Sequence, residues 1–128
     1  MAPSKTRPAR RRPIRVVEDH IASPTCAPLL AARTADLVER SEQGVYHLGS
    51  GTPISWFDFA RMVFELAGLK PELRATNERE HRTAARRPRY SALSNTKMEA
   101  LGLARMPALE TAVRGCLAVQ ARLLAENG

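Results

Sequence analysis

At 128 residues the chain is about one domain long, and a hydrophobic fraction of 44% is enough to build a modest core. No run of about 18 apolar residues is present, which excludes a membrane-spanning helix and points to a cytoplasmic chain. The formal charge of +7 is concentrated at the start: Lys5, Arg7, Arg10, Arg11, Arg12 and Arg15 stand among residues 1–15 with no acid, so residues 16–128 carry only +1.

Residues 1–13, "MAPSKTRPARRRP", read as a basic disordered arm, because three prolines and almost no apolar side chain leave it nothing to bury. Such an arm can touch phosphates in a salt-dependent way, but the near-neutral remainder makes nucleic acid an unlikely partner of the folded part. That part, residues 14–128, opens on "IRVV", a short β-branched strand. The loop "DHIASPT" follows, with Thr25 expected to cap a helix and Pro28 tolerated in its first turn. Leu30, Thr34, Leu37 and Val38 share a face of that helix, and Gly44 ends it. "VYHL" reads as a second strand and "GSGT" as a turn.

"SWFDFARMVFELAGLKP" is the clearest element. Ser55 and Asp58 have capping-box spacing, Trp56, Phe59, Ala60, Val63 and Leu66 share a face, Gly68 lies at the C-cap and Pro71 prevents continuation. "PELRATN" suggests a third strand, a short helix is expected from about Asn95 to Gly102, and a last helix from about Pro107 carries Leu109, Val113, Cys116, Leu117, Gln120 and Leu124 near one stripe. The expected fold is a small α/β unit of a few short strands and three to four helices.

Chemistry-bearing motifs are few. Cys26 and Cys116 form no C-x-x-C pair and read as ordinary reduced thiols, and neither they nor His20, His47 and His81 have metal-site spacing, so no metal ligand is assigned. Trp56 suits a core position on its helix face or a ligand-stacking one. Arg79, Arg82, Arg86, Arg87 and Arg89 fall within eleven residues, offset only by Glu78 and Glu80. Guanidinium forks match phosphate oxygens in pairs, and Pro88 drives Arg87 toward extended geometry. The cluster is compatible with an anion site or with a solvated surface run. If the segment is extended, only one of Arg86 and Arg87 faces a ligand, because neighbouring side chains alternate.

In order and spacing, "RVVEDHIASPT", "GVYHLGSGTPISWFDFARMVFELAGL" and "RRPRYSALSNTKMEALGL" resemble the C-terminal half of the dTDP-4-dehydrorhamnose reductases, which are extended short-chain dehydrogenase/reductases. The resemblance covers roughly residues 14–125 and implies a substrate-binding domain. In that family an N-terminal Rossmann half holds NADPH and supplies a Tyr-x-x-x-Lys pair, and the C-terminal half closes over a dTDP-sugar. It implies that Ser23, Pro24 and Thr25 lie at the mouth of the nucleotide-sugar cleft and that Arg86 and Arg87 approach the diphosphate with Ser91 beside them; Trp56, by its ligand-stacking reading, joins them as a candidate binding residue.

The chain departs from the family where it has His20 and Ala22 in place of glutamine and glycine. Neither Tyr46 nor Tyr90 is followed by lysine four residues on, since Ser50 and Ser94 stand there, and no glycine fingerprint follows a first strand. No cofactor is therefore expected to bind this chain by itself, nor turnover to occur on it. A separate Rossmann half or a second copy is the expected partner. The alternative is a non-enzymatic remnant or small binding module that uses its basic arm.

Overall fold

The structure is a computed structural model that describes residues 11–128, so most of the basic arm lies outside the described residues. In chain order the elements are β1 (Ile14–Val17), β2 (Ile21–Ala22), α1 (Ala27–Glu39), β3 (Ile54–Ser55), α2 (Trp56–Leu66), β4 (Leu73–Thr76), α3 (Thr96–Ala100) and α4 (Leu109–Glu126). This is the small α/β unit expected, with four short strands and four helices.

The strands form two small sheets. β1 and β4 pair in parallel, Ile14 opposite Leu73 through Val17 opposite Thr76. β2 and β3 pair antiparallel, and Tyr90 adds a parallel bridge to Ile21. α2 packs on β1 and on α4.

The α2 helix carries the signals its sequence announces. The Asp58 amide donates to Ser55 Oγ at 3.0 Å, which satisfies one free donor of the first turn. The reciprocal half of the box differs from expectation, because the Asp58 carboxylate accepts from the Ser55 hydroxyl and not from the Ser55 amide. At the other end Gly68 has φ +70°, with Gly68 N–H bonded to Glu65 O and Leu69 N–H to Phe64 O, a Schellman closure.

Three local expectations are corrected. Residues 45–48, "VYHL", form no strand: no neighbouring strand offers them a ladder, Val45 is exposed, and Val45 O accepts from Lys97 Nζ instead. The N-cap of α1 is Cys26 with no side-chain cap bond, because Thr25 Oγ1 donates to Ser23 O at 2.7 Å and is spent there. That helix also stops at Glu39, several residues before Gly44, as the Arg40 and Ser41 amides turn back onto Leu37 O and Val38 O.

The core is small. Ala22, Met98, Leu103, Leu109 and Val113 are buried, and among the described residues no side chain is fully enclosed. Along α4 only Leu109 and Val113 of the apolar stripe are buried, whereas Cys116, Gln120 and Leu124 face outward. On α1 nothing is buried, and Val38 is 71% exposed. Buried Asn95 binds both backbone groups of Gly49, donating from Nδ2 to Gly49 O at 2.9 Å and accepting from Gly49 N–H at 2.8 Å. A Cβ at Gly49 would stand 2.6 Å from Ser23 Oγ and 3.2 Å from Ser23 Cβ, so any larger residue there forces Ser23 to shift.

Candidate functional site

The site grows from the carboxyl ends of the parallel pair. Glu18 N–H donates to Thr76 O at 2.9 Å, which carries the β1–β4 register one step beyond the ladder. The next residues of both strands therefore converge. Glu78 N–H donates to Asp19 Oδ2 at 3.1 Å, and His20 Nε2 lies 3.8 Å from Glu78 Oε2. Asp19 Oδ1 and His20 Nε2 are both buried without a hydrogen-bond partner.

Asp19, His20 and Glu78 each bring one ligand-type atom within 4.8 Å of the others, a donor set of one nitrogen and two oxygens that suits a divalent cation. Histidine and cysteine spacing could not reveal it, because two of the three groups are carboxylates from the segments that follow two separate strands. Glu78 Oε2 is also shared with Arg89 Nε at 3.4 Å, a cation already in place, so the trio reads equally as a polar junction whose negative charge Arg89 partly offsets.

Beside this junction opens a pocket of about 550 Å³. Its walls include Val17, His20, Trp56 and Glu78, and its rim is the segment from Arg79 to Arg87. Trp56 opens α2 with its amide donating to His20 O at 3.2 Å, and its ring meets Phe59 edge-on at 6.0 Å. At 40% exposed it is not a core residue, and the face it leaves open lines the pocket.

Arg79, Arg82, Arg86 and Arg87 all line the pocket, and among the described residues none of them forms an ion pair. Arg87 Nη1 instead donates to the Thr83 hydroxyl at 3.1 Å. Strict alternation would put Arg86 and Arg87 on opposite sides. The chain bends at Ala84 and Ala85, and both reach the same pocket. Among the described residues these four guanidinium groups have no carboxylate partner, and their paired N–H donors match the chemistry of an anion with several oxygens.

The other expected residues are placed elsewhere. Ser91 turns to β2, its amide bonded to Ile21 O at 2.9 Å, and does not line the arginine pocket. Ser23 Oγ accepts from Leu93 N–H at 3.0 Å and packs against Gly49, while Thr25 bonds back to Ser23; with half-buried Pro24 they form the loop into α1. The fold thus brings Arg86, Arg87 and Trp56 together and sets Ser23, Pro24, Thr25 and Ser91 apart from them. Asp19 and Glu78 are the site residues that sequence reasoning missed.

Comparison with known proteins bears on this arrangement. The family described as "RmlD substrate binding domain" matches residues 5–122. Among curated proteins, the chain is 36% identical over 100 residues to a dTDP-4-dehydrorhamnose reductase of Escherichia coli, covering 70% of this chain and 33% of that one. It is 32% identical over 93 residues to the spore coat polysaccharide biosynthesis protein SpsK of Bacillus subtilis, covering 73% and 32%. The crystal structure of dTDP-4-dehydrorhamnose reductase from Bacillus anthracis in complex with NADP superposes with a TM-score of 0.76 at 33% identity, covering 80% of this chain and 37% of that chain. The chain spans about a third of the length of the curated relatives it matches.

Proposed function

The chain belongs to the RmlD substrate-binding-domain family, and from that premise we propose that its arginine-lined pocket receives the diphosphate of a dTDP-sugar. The observation that carries the reading is the set of guanidinium groups of Arg79, Arg82, Arg86 and Arg87, without ion-pair partners among the described residues, around one pocket with Trp56 in its wall. A diphosphate offers several anionic oxygens to paired N–H donors, and an aromatic face suits a base or sugar ring. Ser23, Pro24, Thr25 and Ser91 do not line that pocket, and their part is to hold the loop between β2 and α1 through the contacts of Ser23 and Ser91.

On this reading the chain binds nucleotide-sugar without turning it over. Hydride transfer needs a nicotinamide held against the acceptor carbon and a positioned acid, and these 128 residues contain no Tyr-x-x-x-Lys pair. NADPH and the acid come from a cofactor-binding half, and the dTDP-4-dehydrorhamnose reductase reaction requires both together.

Calorimetry of the purified chain with dTDP-L-rhamnose tests the proposal. Expected is saturable binding that dTDP reproduces in large part and that Arg87→Ala weakens. Absence of saturable heat with either ligand overturns it and favours a binding module that has kept the fold and lost the ligand.

A further inference from the structure

We propose that Cys26 and Cys116 form a reversible disulfide that ties α4 to the start of α1. The two cysteines are 90 positions apart, and as sequence they read as unrelated thiols. The fold sets their sulfurs 2.9 Å apart. Closing to the covalent length of about 2.05 Å takes less than about 1 Å of movement, within reach of side-chain torsion.

The surroundings divide the roles. Cys26 is the N-cap of α1 and makes no side-chain cap bond, so its thiol is left to face Cys116. Cys116 is exposed on the outward side of α4, and its pKa is raised by its contact with the Cys26 thiol and by partial desolvation, so it holds its proton more tightly. A low-molecular-weight disulfide supplies the oxidant. The Cys26 thiolate attacks one of its sulfurs, the S–S bond breaks, and one small thiolate leaves. Cys116 then gives up its proton to solvent and attacks the Cys26 sulfur, displacing the second small thiolate. Two protein thiols are oxidised by two electrons, and one small disulfide becomes two thiols.

The bond would reach the cleft-side loop. Cys26 directly follows Ser23–Thr25, where Ser23 holds Leu93 N–H and touches Gly49. Oxidation therefore restrains that loop against α4.

The test treats the native chain with oxidised glutathione, quenches by acid, alkylates, and reads intact mass and a peptide map. Expected is a loss of about 2 Da with no alkylated cysteine, one linked pair of peptides containing Cys26 and Cys116, and full reversal by excess reduced glutathione. In denaturant the link should form about tenfold more slowly, because folding supplies the proximity. Cys116→Ser should stop at a single glutathione adduct on Cys26. Two independent adducts on the native chain, no reaction, or equal rates folded and denatured would each overturn the proposal. These three overturning outcomes are read on the unaltered sequence and do not depend on how the Cys116→Ser variant folds.

Discussion

Arg87 spends one N–H on Thr83 and leaves the rest of its fork to the pocket, so its removal should be felt by a bound anion. Arg87→Ala is expected to weaken dTDP binding by about 1.5 to 3 kcal/mol, the range for a hydrogen bond to a charged group. Arg87→Lys should recover only part, since an ammonium keeps the charge and loses the fork. Arg12, exposed and far back in the chain, is the control: Arg12→Ala should matter slightly and only at low salt. Calorimetry at two ionic strengths decides, and equal losses at Arg12 and Arg87 that vanish with salt would mean a diffuse charge effect. Cys116 gives a pH prediction with a definite sign. Its raised pKa means the folded state holds the proton more tightly, so the stabilisation is complete below the ordinary thiol value and fades as pH rises through the raised one. Alkylation of Cys116 followed against pH should accordingly need more alkaline solution in the folded chain than in the denatured one.

Two elements hang on single polar contacts. Ser55→Ala removes the acceptor for the Asp58 amide and should destabilise the chain by about 1 kcal/mol in urea unfolding, with Ser55→Asp recovering most of it. Asn95→Ala strips both partners from the buried backbone of Gly49 and should cost more, at least about 2 kcal/mol, because each abandoned group carries its own desolvation penalty. The contrast shows what the sequence made legible. α2 was readable from end to end, since cap, apolar face, Gly68 and Pro71 are all local signals. Asn95 read only as a helix start, and its clasp on Gly49 spans 46 positions. The same division runs through the site. Arg86 and Arg87 stand out because they are crowded beside Pro88, whereas Asp19 and Glu78 meet only through the β1–β4 pairing, which no local pattern announces. "VYHL" failed for a related reason: alternation and β-branching describe a willing strand, but a strand exists only where a neighbour pairs with it.

At the scale of the whole molecule, the core of the described residues is small and much apolar surface stays open. The exposed apolar side chains include Val38, Leu69, Leu123 and Leu124, on helices α1 and α4 and just after α2. Apolar side chains that close into one contiguous exposed patch are usually covered by a partner. Sedimentation across the micromolar range should therefore show self-association, or binding to a cofactor-domain chain supplied in trans. A strict monomer that also fails to bind a hydrophobic dye would contradict this.

The parallel ladder of β1 and β4 has a further consequence, for the order in which the chain assembles. Ile14 pairs with Leu73, 59 positions away, and every other rung has the same separation. Closing so long a loop costs chain entropy before any rung repays it, whereas α2 forms from neighbours alone. Folding kinetics should thus run from α2 outward, with the ladder late and the convergence of Asp19, His20 and Glu78 later still. The amides of Glu18 and Glu78, which depend on that last closure, should be among the first to exchange with deuterium, opening the junction while the helices remain intact.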